Sequence, residues 1–377
     1  MLSTRRIHFI NFNRKLVVSS VFFLIPLHFL KIGLSGWQIG IIVSCFAFAP
    51  LLFSFPTGWI NDRFSIKKVI LGALGALALL LILVAGINEF LALAVLFLFV
   101  GVFNNALDVS TNSLYFKDEQ EIDLNKKYGV YIFWIGLGPA VGILLGGILM
   151  NFADFRVLLL CFAGLLSAVA VSVRNFNHEK FAVVPIKEYR RNIFRKKTLL
   201  FAAMLFVIAL HWGVEGTVYS PFVKTHFRLN DIQLTLFIAL PLLILAFTAL
   251  FIGSVEYNPQ LNKKIFLVSM FLSGAGLVLM VQENVYLSLL FRIVHEIGDG
   301  GIGALATLYI SKLFERRSIG GSWGILLAIQ TMGHITGALL FSSLGYSLGL
   351  QYPFYIAGGM LVANVVYGYF VLRQAEY

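Results

Sequence analysis

Residues 37–87 read WQIGIIVSCFAFAPLLFSFPTGWINDRFSIKKVILGALGALALLLILVAGI. Two apolar runs, near 37–60 and 68–87, stand on either side of a short polar turn that begins at Asn61 and Asp62. A membrane-spanning helix needs ~20 mostly apolar residues, and each run supplies that many. The segment is therefore a pair of spans joined by a tight charged loop.

The same pattern continues in both directions. Further apolar runs lie near 16–33, 90–114, 128–150 and 155–174, and after a polar stretch near 198–222, 231–254, 264–282, 285–311, 321–345 and 352–372. Twelve spans account for roughly 240 residues, which a 377-residue chain holds with short loops and no large soluble domain. Composition agrees: 59% of residues are hydrophobic, 12% are charged and the mean hydropathy is +0.87. Ordinary globular chains carry about 25% charged residues. Cys45 and Cys161 both fall in apolar runs, so neither a disulfide framework nor a cysteine metal site is readable. The first run follows Arg14-Lys15 and lacks a small-residue cleavage site, which reads as a retained span.

The net charge of +11 is distributed by side rather than by nucleic-acid affinity. With the N-terminus inside, all 29 basic residues except Lys31, Arg156, Lys224, Arg228 and Arg292 fall in cytoplasmic segments. That asymmetry places both termini in the cytoplasm. Short loops without a processing signal fit a bacterial cytoplasmic membrane, an organellar one remaining open.

An internal repeat divides the chain. Gly58, Lys68, Gly129, Gly138 and Gly142 recur 195 residues later as Gly253, Lys263, Gly324, Gly333 and Gly337. The expectation is an all-α membrane protein of twelve transmembrane helices in two pseudo-symmetric six-helix bundles, 1–174 and 198–377. A cytoplasmic linker over 175–197 joins them, with His178, Glu179, Lys180 and the Arg190-Arg191 pair in a solvated, partly helical segment. Two-half transporters with the substrate site between repeats use such a layout.

The loop Gly58-Trp59-Ile60-Asn61-Asp62-Arg63-Phe64-Ser65-Ile66-Lys67-Lys68 resembles the cytoplasmic signature of the major facilitator superfamily. Gly58, Asp62, Arg63 and Lys67 match it; Ser65 and Ile66 replace the usual glycine and basic residue. The resemblance implies a conformational latch between halves, its acid near a helix N-terminus of the other half. Gly138-Pro139-Ala140-Val141-Gly142 is similar to the Gly-Pro signature of the family's antiporters, with Trp134 where the leading glycine usually lies. Gly138, Gly142 and Gly146 also form a stripe suited to close helix packing. The arginine that usually opens the fourth span is absent at Phe97, and Arg292 is its counterpart in the second half.

Ionisable groups within spans are costly and mark sites by default. His28 lies in the first span, Asp108 in the fourth, His211 and Glu215 in the seventh, and Arg292, His295, Glu296 and Asp299 in the tenth. These spans occupy equivalent places in successive three-helix units; His334, in the eleventh, stands apart. In the family resembled, those four spans line the central cavity. Asn104, Asp108 and Asn112 form one helical stripe, and His211, Glu215 and Tyr219 another. Asp108 and Glu215 have no cation in their own spans, and a low dielectric favours the neutral form of such acids. Asp108, Glu215, His295, Glu296 and Asp299 are therefore the proton-coupling candidates. His28, Asn104, Asn112, His211, Tyr219 and Arg292 are the substrate-binding candidates.

The reading is a proton-coupled secondary transporter that works as a monomer on a small-molecule substrate. It needs no cofactor, carries out no catalysis and does not bind nucleic acid. Four deep acids against one arginine favour a cationic or zwitterionic solute, and abundant Phe an amphipathic one, with export preferred. A proton symporter for a polar nutrient would use the same parts. A divalent-metal transporter could draw on His28, His211, His295, Asp108 and Glu296, though their spacing fixes no metal. An intramembrane metalloenzyme is suggested only by His295-Glu296-Ile297-Gly298-Asp299, similar to a His-Glu-x-x-His motif with aspartate as its last residue. No Gly-Lys-Ser/Thr phosphate loop points to ATP.

Overall fold

The computed structural model describes residues 4–117, 123–150, 152–175 and 184–374, and among them there is helix and no strand. The helices are α1 (Thr4–Lys31), α2 (Gly36–Arg63), α3 (Ile66–Gly86), α4 (Phe90–Lys117), α5 (Leu124–Leu149), α6 (Phe155–Val173) and α7 (Ile186–Ile193). There follow α8 (Lys196–Val214), a π-helical turn over Glu215–Tyr219, α9 (Ser220–His226), α10 (Asp231–Ser254), α11 (Pro259–Leu279) and α12 (Val285–Leu313). A 3-10 turn (Arg316–Ser318) leads into α13 (Ile319–Leu348), and α14 (Tyr352–Gln374) closes the set. Among the described residues, ten segments have the length and hydropathy of a span, with α8, the π turn and α9 counted as one. The other two long helices, α1 and α12, complete the twelve. Both are long enough to cross a membrane, and α12 carries Arg292, Glu296 and Asp299 in its interior.

Local chemistry sets the helix ends. Ser35 and Gln38 form a capping box at the start of α2, and Asn230 with Gln233 does the same for α10. Asn258 caps α11 ahead of Pro259, a residue preorganised for the first helical position. Asp154 caps α6 by accepting the Arg156 N–H at 2.9 Å, and this bond holds its carboxyl below the usual carboxylate range. Large apolar side chains such as Leu52, Leu79, Phe99, Phe251 and Leu290 stand exposed along the helices. In water such surfaces drive association; in a bilayer they are the lipid face.

Packing divides the chain into two compact units. One comprises Met1–Glu119, Val141–Arg190 and Phe314–Ala328; the other comprises Gln120–Ala140, Arg191–Leu313 and Ile329–Tyr377. Helices α5 and α13 each pass from one unit to the other. In the first unit α2 packs on α4, and α3 lies between α4 and α6. In the second unit α10 packs on α12, and α11 lies between α12 and α14. The internal repeat of the sequence is thus a repeat of packing partners.

Glycine makes the closest crossings. A Cβ on Gly58 would lie 2.7 Å from the carbonyl carbon of Gly320 and 2.9 Å from the Cα of Gly321, so α2 and the start of α13 touch backbone to backbone. Gly324 continues that crossing against Ser54 and Phe55. In the second unit Gly129 and Gly253, the repeat counterparts of Gly324 and Gly58, meet each other. Gly142 packs on Leu16 of α1, and Gly146 on Ser20 and Leu24. Gly138 is buried in α5, and Pro139 follows it inside the helix.

Gly58→Ala is expected to destabilise the protein by about 1–3 kcal/mol through overpacking against rigid backbone. Gly72→Ala, where a Cβ meets nothing within 4 Å, should be neutral or slightly stabilising. Chemical unfolding of both variants in detergent measures the difference, and equal stabilities would contradict the backbone contact.

Candidate functional site

The turn between α2 and α3 is organised by Asp62, which is fully buried. One carboxylate oxygen accepts from the Lys117 ammonium at the end of α4, and neither side chain has exposed surface. The other accepts from the Tyr189 hydroxyl at 2.9 Å and from the backbone N–H of Gly321 at 2.8 Å. Gly321 is in the first turn of α13, where free amides and the helix dipole favour a carboxylate. Burial and the adjacent Asp62 carboxylate push the Tyr189 phenol up, keeping it a donor. Arg63 lies over the Trp59 ring at 4.2 Å and donates to the Val184 carbonyl at 3.2 Å. Lys67 is half-buried in the first turn of α3.

Two sequence expectations are corrected here. Lys117, counted among the loop charges, is buried, and so is Tyr189 of the linker, which was expected to be solvated. A carboxylate out of water needs this many partners, so it draws them in. Arg190 and Arg191 are exposed on α7, whereas His178, Glu179 and Lys180 lie outside the described residues.

The second unit repeats the arrangement without the ion pair. Tyr257 and Lys312 stand 195 residues beyond Asp62 and Lys117. The Lys312 ammonium sits 4.0 Å from the Tyr257 ring centroid and reaches its hydroxyl. Asn125 and Asn262 exchange amide hydrogen bonds of 2.9 and 2.6 Å nearby.

Within the spans of the first unit, Arg14 is the centre. It has no exposed side-chain surface, donates to Asn104 Oδ1 at 2.8 Å and pairs with Asp108 at 2.5 Å. Lys15 acts on Asp108 as a second positive charge. The Asp108 side chain keeps 23% of its surface. Asn112 does not reach this pair; its amide donates to the Asp108 backbone carbonyl at 2.8 Å. Sequence reading placed Arg14 in the cytoplasmic segment before the first span. The helix in fact begins at Thr4, and the polar residues Asn11 and Arg14 turn inward to bond with α4.

Seven predicted residues meet in the second unit. Arg292 pairs with Glu215 at 2.5 Å and with Glu296, one helical turn along its own helix. The His295 Nε2 lies 3.0 Å from Glu215, and the His211 Nε2 lies 3.1 Å from Asp299. Tyr219 supports the Arg292 guanidinium with its ring at 4.3 Å. Glu215 opens the π turn, and widened turns of this kind often occur at functional sites. Ser273 of α11, which sequence reading missed, donates to Asp299 at 2.6 Å, and its carbonyl contacts His295 Nδ1 at 2.7 Å. A serine in an apolar run carries no signal of its own; only its neighbours give it one. His334 borders this group, since a Cβ on Gly216 would lie 3.3 Å from its Nε2. His28 stays apart, stacked on Phe155 at 4.4 Å.

Asp108 and Glu215, which lack a cation in their own spans, thus each receive an arginine from another helix. The structure joins the seventh and tenth spans in one ionic cluster and the first and fourth in another.

Twelve spans in a twofold repeat, with ionic clusters buried among them, are the architecture of a secondary transporter. The family model for the Major Facilitator Superfamily matches residues 7–256 and 202–376, and the chain belongs to that superfamily. An uncharacterized MFS-type transporter of Methanocaldococcus jannaschii is 21% identical over 352 residues, covering 89% of this chain and 90% of that protein. The nitrite extrusion protein of Bacillus subtilis is 23% identical over 356 residues, covering 91% and 86%. In fold the chain is similar to the crystal structure of the human organic anion transporter MFSD10, with a TM-score of 0.81 at 15% identity, covering 98% of this chain and all of that one.

Asp62→Asn would leave Lys117 buried without its counter-charge and is expected to cost about 3–5 kcal/mol. Combining it with Lys117→Met should recover most of that loss. Unfolding of the single and double variants measures the coupling, and simple additivity of the two changes would contradict a buried pair.

Proposed function

We propose that this superfamily member moves a small cationic solute across the membrane by alternating access, coupled to protons, with export the preferred direction. The observation that carries the reading is the difference between the two clusters. In the first unit Asp108 is opposed by Arg14 and Lys15, while in the second Glu215, Glu296 and Asp299 surround a single arginine. The second cluster has carboxylate charge to offer a cation, and Glu215 and Asp299 keep 22% and 12% of their side-chain surface. The first offers a lone acid whose protonation would free a buried arginine.

Asp108 is the coupling acid of this reading. Arg14 and Lys15 face it from α1, and Asn104 stands one turn away on its own helix, sharing the Arg14 guanidinium. Protonation removes its charge, releases Arg14 and alters the balance between α1 and α4. Glu215, His295, Glu296 and Asp299 then take the solute's positive charge rather than the proton. In this reading the contact of Asp62 with the start of α13 is the latch that holds one conformation, and the basic loops beside it support a cytoplasmic position.

Proteoliposomes containing a pH-reporting dye and challenged with pooled organic cations test this. Wild type should show cation-dependent proton movement, its direction separating antiport from symport. Asp108→Asn should abolish the proton signal yet retain cation binding in detergent. Proton movement unchanged in Asp108→Asn would remove it as the coupling acid.

A further inference from the structure

The cluster of the second unit offers four ligand atoms to one point. We propose that His211, Glu215, His295 and Asp299 bind one divalent transition-metal ion of the zinc type and, resting on the transporter reading above, that this ion is a cation the protein carries.

Among the described residues, one ligand atom from each of these four lies within 4.8 Å of all the others. The measured separations include 3.0 Å for His295 Nε2 to Glu215, 3.1 Å for His211 Nε2 to Asp299 and 3.9 Å for His295 Nε2 to Asp299. Ligands about 2.0–2.1 Å from a tetrahedral zinc stand about 3.3 Å apart, so the 3.0 and 3.1 Å pairs already have that spacing and the wider ones, up to 4.8 Å, close on the ion by side-chain movement.

The outer contacts settle which nitrogen each ring presents. His295 Nδ1 faces the Ser273 carbonyl at 2.7 Å, and His211 Nδ1 faces the Ile208 carbonyl. A carbonyl only accepts, so each Nδ1 carries the hydrogen, and a neutral ring then has a bare lone pair on Nε2. Both lone pairs point at carboxylate oxygens at hydrogen-bond distance. Two acceptors so placed repel, and a cation among them satisfies all four. Metal-bound histidines regularly donate their second N–H to a carbonyl, and bound carboxylates are themselves hydrogen-bonded. Ser273 supplies both, accepting from His295 through its carbonyl and donating its hydroxyl to Asp299.

Charge gives the same answer. Glu215, Glu296 and Asp299 carry three negative charges against the one positive charge of Arg292, which pairs with both glutamates, and the remaining two match a dication. Two imidazoles and two carboxylates suit zinc, iron(II) or cobalt, whereas calcium and magnesium prefer shells of oxygen. Sequence spacing hid the site because each helix supplies only half of it: His211 and Glu215 from one, His295 and Asp299 from the other.

Purified protein stripped with a chelator is titrated with Co²⁺ and followed by its visible d–d absorption, with Zn²⁺ as competitor. One Co²⁺ per chain is expected, displaced by Zn²⁺. Asp299→Asn and His295→Gln should lose the band. Ser273→Ala should weaken binding about 10–100-fold, and His226→Gln, at a histidine on the opposite side of the π turn, should not change it. Thermal unfolding without metal shows which variants are folded, and wild type should gain stability with Zn²⁺. No band and no zinc-dependent stabilisation in wild type would overturn the site, as would unchanged affinity in both ligand variants; these results require the rings to carry second protons instead. Zinc flux in proteoliposomes, absent in folded Asp299→Asn, supports carriage. Binding without flux overturns carriage alone, and proton-linked flux of an organic cation without metal binding overturns the metal site while the transporter reading stands.

Discussion

A charged side chain inside the hydrocarbon must be met by an opposite charge or by donors and acceptors enough to replace water. The helices of this protein are placed accordingly. Lys117 and Asp62 tie the end of α4 to the end of α2, Arg14 ties α1 to Asp108 of α4, and Arg292 ties α12 to Glu215 at the π turn. Each pair joins helices distant in sequence, so each fixes a crossing that apolar contact alone would leave free to slide. Neutral bonds add to them: Ser54 to Asn105, Ser110 to Asn61 and Thr111 to Asn11 stitch α2 and α1 to α4.

These bonds need helices that can approach, and glycine provides the approach. The contact of Gly58 with Gly320 and Gly321 brings Asp62 within reach of a backbone amide in α13. The Gly129–Gly253 contact does the equivalent for Asn125 and Asn262. Geometry is therefore common to the two repeats while chemistry is not. Where the first has a carboxylate and an ammonium, the second has a tyrosine and an ammonium beside an amide pair. An ion pair buried in one repeat and absent from the other makes the two crossings unequal in their response to charge.

The spans, the repeat and the loading of ionisable residues onto spans one, four, seven and ten were legible because each is a pattern along the chain. Hydropathy has the length of a bilayer, and the repeat keeps one offset over several helices. Partners were not legible. Arg14 reads as a loop charge because its neighbours Arg5, Arg6 and Lys15 are basic, and only the helix starting at Thr4 turns it inward. Lys117 fails for the same reason: positive-inside counting records which side a residue is on, not whether it is buried; Tyr189 sits in a polar linker where nothing along the chain marks it for burial. Ser273 becomes visible only when α11 lies against α12.

The two clusters within the spans differ in whether they can close their own charge. Arg14 and Asp108 balance each other, and Lys15 leaves that group slightly positive. Around Arg292 the three carboxylates of Glu215, Glu296 and Asp299 exceed the fixed positive charge by two. In low dielectric such an excess is not stable unaided. It is removed by protons on the histidines or on the carboxylates themselves, or by a cation among the ligand atoms. The second cluster thus differs from the Asp62 node, where the carboxylate meets a buried ammonium of equal charge. Under the transport reading proposed above, its charge would change with what enters it, and the π turn at Glu215 is where such a change would act on the backbone.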